Sequence, residues 1–286
     1  MHDKLSTSER ADGVRLRGPT SLQRSGEGVS RLPQVSDTIL LEVTDGLAHV
    51  TLNRPERLNA INPEAAERWR DVGREIAERD DIGAVLFDAA GRAFCAGGDV
   101  REMGTTVGDG SAIAAHADVI HAGHVFFRDS GKPIVAAVQG AVAGGGLGFM
   151  LCADVIVAAE RASFASKYSD IGLTPDCGVS TLLPEAIGMR RALELTLTSR
   201  RLTASEALDW GLVTEVVEAD AVAHRARAIA EAWLAGATGA FGQAKRLLLT
   251  SRGRTFQENL DDEARTIGAA FGTPEAQARI AAFSSR

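Results

Sequence analysis

Residues 132–155 read KPIVAAVQGAVAGGGLGFMLCADV. The run IVAAV (134–138) has no polar alternation, which fits a strand buried on both faces, as in a parallel sheet covered by helices. A glycine cluster, AGGGLG (143–148), follows it, and GLGFMLCA then reads as a helix. The same grammar occurs upstream. The apolar run AVLF (84–87) is followed by FCAGGD (94–99). Glycine inside a strand or helix costs about 0.5–1 kcal/mol relative to alanine, so two such clusters after two apolar runs call for a physical reason.

Three readings of the clusters compete. A dinucleotide site needs G-x-G-x-x-G opening the helix after a strand. Counted from Gly144, the pattern reaches Gly146 and then meets Phe149. A phosphate loop needs a lysine after the last glycine, and none follows here. An oxyanion hole needs backbone N–H groups left bare at strand-to-helix junctions, with the positive end of a helix behind them. Tight helix–sheet packing explains one cluster alone. Two clusters at corresponding strand ends point to the hole.

Outward from these stretches, ILLEV (39–43) and LAHVTL (47–52) flank Asp45-Gly46, a hairpin signal. Asn62-Pro63 starts a helix with Asn as its cap, and Trp69, Val72 and Ile76 supply its apolar stripe. A further helix is predicted over 111–128, and DVIVAA (154–159) and VTEVV (213–217) read as strands. Thr203 and Glu206 form a capping box whose helix closes at Gly211. Residues 1–36 lack periodicity and read as a disordered tail. The predicted organisation is that tail, an α/β core over 37–220, and a helical module over 221–286.

Composition narrows the function classes. The net charge is −7 with no run of Lys or Arg, which disfavours nucleic acid. No apolar run reaches the roughly 18 residues of a membrane span, and the N-terminus lacks the apolar stretch of a signal peptide. Cys95, Cys152 and Cys177 match no metal or redox spacing, as expected of a reduced, cytoplasmic chain. His116, His121 and His124 share a predicted helix without the H-E-x-x-H spacing, so they read as packed or solvated rather than as a metal site.

LNRPERLNAIN (52–62), GRAFCAGGDVREM (91–103), KPIVAAVQGAVAGGGLGFMLCADV (132–155) and FASKYSDIGLTPDCGVSTLLPEAIG (164–188) together resemble the enoyl-CoA hydratase/isomerase family, the crotonases. The resemblance runs in order from about residue 38 to the C-terminus. It implies an α/β fold, a crotonase-like ββα spiral core with a helical C-terminal trimerisation module. It implies an acyl-coenzyme A thioester substrate and no cofactor beyond the coenzyme A carried by that substrate. The N–H groups of Gly98 and Gly145 would form the oxyanion hole. Ala96, Gly98, Asp99, Val100 and Arg101 would line the coenzyme A site, together with Arg57 and Leu58, and the two arginines could meet phosphate.

The chain departs from the hydratase pattern at two places. Hydratases of the family carry one glutamate three residues after the middle glycine of GGG and another four residues before the glycine of the IG[LT]-type segment. Gly148 and Tyr168 stand there instead. Adding water needs groups that take and give protons. Glycine does neither, and tyrosine, with an ordinary pKa near 10, is a poor base at neutral pH. A carboxylate appears instead at Asp176, in a P-[DE]-x-G setting similar to the family's double-bond isomerases. One carboxylate suffices for a 1,3-proton shift. The expectation is therefore an enoyl-CoA isomerase with Gly98, Gly145 and Asp176 as catalytic residues and Tyr168 in the acyl pocket wall. Three alternatives stay open: a hydratase, a non-catalytic acyl-CoA-binding paralogue, and Asp176 as no more than the cap of the helix that follows it. Phe256, Ile267, Phe271, Ile280 and Phe283 would serve a homotrimer or hexamer.

Overall fold

The computed structural model describes residues 37–104 and 109–285; the predicted tail over 1–36 lies outside them. In chain order the elements are strands β1 (Ile39–Thr44) and β2 (Leu47–Leu52), helix α1 (Pro63–Glu78), strands β3 (Ala84–Ala89) and β4 (Ala93–Cys95), and helices α2 (Val100–Met103) and α3 (Gly110–Asp129). Then come β5 (Ile134–Val138), β6 (Ala141–Ala143), α4 (Gly146–Met150), β7 (Val155–Ala159), β8 (Ser163–Ala165), α5 (Val179–Ile187) and α6 (Met189–Leu197). The chain continues through β9 (Arg201–Thr203), α7 (Ala204–Trp210) and β10 (Glu215–Val217). It ends in α8 (Val222–Ala235), α9 (Thr238–Thr250), α10 (Phe256–Phe271) and α11 (Pro274–Ser284).

Two sheets divide the strands. The larger runs β1-β2-β3-β5-β7-β10 and is parallel except for the β1–β2 hairpin. At the turn, Asp45 and Gly46 both have positive φ, 50° and 82°, the geometry that suits a two-residue hairpin. The smaller sheet runs β4-β6-β8-β9, with β4, β6 and β8 parallel. A ββα unit thus repeats, each long strand being followed by a short strand in the second sheet and then by a helix.

The unbroken apolar runs follow from burial on both faces. On one side Val85, Phe87, Ile134, Ala136 and Val138 join the main core. On the other, Leu86, Val135, Ala137 and Val157 meet Val222, Ala226 and Ala230 of α8. The helical run from 221 therefore opens with a helix that covers the sheet. The main core centres on Trp69, whose ring stacks on Phe127 at 3.9 Å and lies 4.7 Å from Phe149. Gly123 of α3 permits this approach, because a Cβ there would meet the indole at 2.3 Å.

Candidate active site

The small sheet builds the site. Its three adjacent parallel strands are three residues each, and each releases a loop at its carboxyl end. Ala96-Gly97-Gly98 leaves β4, Gly144-Gly145 leaves β6, and Ser166-Lys167-Tyr168 leaves β8. The glycine clusters thus follow the short strands, not the long apolar runs that sequence periodicity picks out.

The first two loops touch. A Cβ on Gly97 would lie 2.8 Å from the carbonyl oxygen of Ala143 and 3.1 Å from the amide nitrogen of Gly145. Gly97 has φ +94° and Gly144 φ +52°, so glycine at these two positions permits both the turn and the contact. Among the described residues, neither the Gly98 nor the Gly145 amide donates a hydrogen bond. Gly98 is open to solvent. Gly145 is the residue that caps α4.

Leu58 and Ile61 reach the first loop through the backbone. The Ala96 N–H donates to the Leu58 carbonyl at 3.0 Å, the Ile61 N–H to that of Gly97 at 2.8 Å, and the Asp99 N–H to that of Ile61 at 2.9 Å. Arg57, Ala96, Val100 and Arg101 are exposed along this seam. Asp99 is different. It is buried, and Arg54 Nη2 lies 3.2 Å from its Oδ2, so its carboxylate braces the seam rather than facing solvent. Arg54 also pairs with Glu102 at 3.3 Å. Sequence reasoning passed over Arg54, which no motif distinguishes from the exposed Arg57.

Asp176 and Tyr168 come together beside Gly145. The Tyr168 hydroxyl donates to Asp176 Oδ1 at 2.6 Å. A Cβ on Gly145 would lie 2.9 Å from Cys177 Sγ, 3.5 Å from Asp176 Oδ1 and 3.6 Å from the Tyr168 hydroxyl. The helix-cap reading of Asp176 is overturned: α5 starts after Gly178 with no side-chain cap, and it is the Asp176 backbone carbonyl, not the carboxylate, that accepts the Val179 N–H. Two consecutive left-handed residues, Cys177 (φ +49°) and Gly178 (φ +72°), turn the chain into the helix and leave the Asp176 side chain aimed at the glycine loop. Behind this turn the Cys177 N–H donates to His121 Nε2 at 3.2 Å. That role of His121 was hidden in sequence, where 56 residues separate the partners.

The electrostatics follow from burial. Burial, together with the neighbouring Cys177 and Asp176, drives the Tyr168 phenol well above its usual pKa. The Cys177 thiol rises for the same first reason, with Asp176 adding to it, so it stays a protonated thiol. Burial holds the His116 imidazole below its ordinary value against the pull of Asp176 and Glu102. His124 is buried against Trp69, whose indole N–H it accepts at 2.9 Å, and burial pushes its pKa down to about 3. Among the described residues no cluster of His, Cys, Asp and Glu has the makings of a metal site.

The hydratase glutamate position is closed. A Cβ on Gly148 would fall 1.8 Å from the carbonyl oxygen of Cys177. The turn that presents Asp176 therefore occupies the space a side chain at 148 would need.

A family model described as enoyl-CoA hydratase/isomerase matches residues 42–286. The chain is a member of the enoyl-CoA hydratase/isomerase family. It is similar to the 1,2-epoxyphenylacetyl-CoA isomerase of Escherichia coli K12, at 33% identity over 79% of this chain and 87% of the relative. It is also similar to 4-chlorobenzoyl coenzyme A dehalogenase-2 of an Arthrobacter species, at 32% identity over 87% of this chain and 91% of the relative. Among solved structures, an enoyl-CoA hydratase from Polaromonas sp. JS666 superposes with a TM-score of 0.82 at 29% identity, covering 86% of this chain and 96% of that one. The crotonase-like fold expected from sequence is thus present. Most of the similar proteins carry hydratase names, and other members carry out isomerase or dehalogenase reactions by their names, so the family alone does not choose the reaction.

Proposed function

We propose that this family member binds an acyl-CoA thioester and shifts a carbon–carbon double bond along its acyl chain, with Asp176 as the proton carrier. The observation that carries the reading is the placement of one carboxylate, and no second one at the hydratase positions, against the glycine loop of Gly145. In the reaction, Asp176 takes a proton from C2 of a 3-enoyl thioester. The C–H electron pair becomes a C1–C2 double bond, and the carbonyl pair moves onto the thioester oxygen. The N–H groups of Gly98 and Gly145 hold that oxygen, and such a donor is worth on the order of 10²–10³ in rate. Asp176 then returns the proton to C4, and a 2-enoyl thioester leaves with atoms and charge unchanged. The seam of Arg57, Leu58, Ala96, Val100 and Arg101 beside the Asp99 backbone would take the coenzyme, the two exposed arginines meeting its phosphates.

Hydration is the second reading, favoured by the names of most relatives. The glycine at 148 and the buried, protonated Tyr168 speak against it, since neither can activate water. The deciding experiment offers 2-enoyl and 3-enoyl thioesters to the purified chain and follows both water addition and bond migration. Migration faster than hydration supports the isomerase, and the reverse order overturns it. Binding of both thioesters with turnover of neither would make the chain a non-catalytic paralogue.

The apolar side chains exposed on α10 and α11 support assembly into a homotrimer or hexamer. Phe256 and Phe283 are 80% and 79% exposed in the single chain, and a patch of large apolar groups of this kind marks an interaction surface.

A further inference from the structure

Tyr168 is buried within the main core, and among the described residues its hydroxyl reaches two polar atoms, both of Asp176: Oδ1 at 2.6 Å and the backbone carbonyl at 3.4 Å. The short contact is one-directional. With its pKa driven up by burial and by the carboxylate beside it, the phenol keeps its proton and acts only as a donor. It therefore neither takes a proton from substrate nor replaces the missing glutamate. A buried phenol packed in the core need not touch the carboxylate at all, and a phenylalanine would fill the same space. The hydroxyl is what the packing does not explain.

We propose that Tyr168 is a positioning residue that fixes the rotation of the Asp176 carboxylate and so holds it against the Gly145 loop as the proton carrier. This rests on the isomerase reading of the site. A free carboxylate rotates about its Cβ–Cγ bond and presents either oxygen. A base that must serve two carbons of one chain needs one oxygen held in reach of both. The Tyr168 hydroxyl fixes that rotation from the side. From behind, His121 fixes the peptide on which the carboxylate sits, by accepting the Cys177 N–H at 3.2 Å. In the forward step the C2–H bond breaks and a carboxyl O–H bond forms on Asp176, while a C1–C2 double bond forms and the carbonyl pair moves to the thioester oxygen. In the return step that O–H bond breaks and a C4–H bond forms, as the carbonyl is restored and the double bond settles between C2 and C3. The Tyr168 O–H bond is intact throughout. Misplacing a reacting group by about 1 Å typically costs on the order of 10²-fold in rate, which sets the scale of the effect.

The test is Tyr168→Phe in the full chain, alone and combined with Asp176→Asn. Two readouts are taken: bond migration in a 3-enoyl thioester, and deuterium wash-in at C2 of butyryl-CoA, which needs only the base and the oxyanion donors. The expected result is a fall of roughly 10–100-fold in kcat for both, with KM within about two-fold and the thermal midpoint unchanged. In the Asp176→Asn background the same substitution should change the residual rate by less than about two-fold, because a group acting through Asp176 has nothing left to act on. Wild-type kcat in Tyr168→Phe overturns the proposal. So does an equal loss in both backgrounds, which would mean that the hydroxyl meets substrate directly. Wash-in without bond migration in the wild-type chain rejects the isomerase reading while still scoring Tyr168. Absence of both in the wild type rejects both.

Discussion

The carbonyl oxygen of Cys177 stands 1.8 Å from the point a Cβ on Gly148 would occupy. The position at which hydratases of the family carry a glutamate is filled here by backbone. Gly148→Glu should therefore not create a hydratase. It should lower stability by about 3 kcal/mol, the scale of overpacking a core, and reduce any existing activity by displacing the Asp176 turn. Thermal unfolding together with a 2-enoyl hydration assay checks both parts.

Asp176→Asn should leave stability within about 0.5 kcal/mol, since the carboxylate caps no helix. Bond migration should fall by about 10²–10⁴-fold, the range for removal of a general acid–base group. Steady-state kinetics on a 3-enoyl thioester and calorimetric titration with the substrate separate the loss of rate from any loss of binding.

Gly145→Ala places a methyl group 2.9 Å from Cys177 Sγ and within 3.6 Å of both Asp176 Oδ1 and the Tyr168 hydroxyl. The amide at 145 remains, yet the loop must shift to admit the methyl. A loss of about 10²-fold in kcat is expected, with coenzyme A affinity retained because the seam proposed to take the coenzyme, from Arg57 to Arg101, is untouched. Competition by free coenzyme A measures the second quantity.

His124 gives the chain an acid-sensitive core. Its folded-state pKa is pushed down to about 3 by burial, against an ordinary value near 6.5. The unfolded chain therefore binds more protons between these limits, and stability is full above about pH 6.5 and declines as pH falls toward 3. Between pH 7 and pH 4 this one group should cost about 3 kcal/mol. His124→Gln should flatten that part of the profile, as read by denaturant unfolding across the window.

If α10 and α11 are covered by partner subunits, acidic substitution on them should divide the assembly. The wild-type chain should sediment as a trimer or hexamer, and the double variant Ile267→Asp, Phe271→Asp as a monomer; both side chains are largely exposed in the single chain. Analytical ultracentrifugation at micromolar concentration reads the outcome.

Much of the fold was legible because burial on both faces leaves a plain mark. IVAAV and AVLF lack polar residues since each has helices on one side and the main core on the other. Caps were equally readable: Asn62 accepts the Ala65 N–H, and Thr203 and Glu206 close their box. The short strands were not. Three residues, as in β4, β6 and β8, hold too little periodicity to separate a strand from a loop, so the register that sets the site loops side by side stayed hidden. The site was half visible for a related reason. The glycine clusters and the carboxylate at Asp176 stand out by residue type, and the choice of Gly98 and Gly145 within the clusters came from the family resemblance. The Arg54–Asp99 pair, the His121 contact and the Tyr168–Asp176 bond span from 8 to 56 residues of sequence, and nothing local encodes such pairings.

The two amides proposed to hold negative charge leave β4 and β6, whereas the proposed proton carrier is held from β8 and the turn beyond it. Changes in residues 166–178 can thus replace the acid without moving the donors. A scaffold divided this way can trade one reaction for another by altering a dozen residues, and the natural graft to attempt is that segment alone, carried between relatives whose names promise different chemistry.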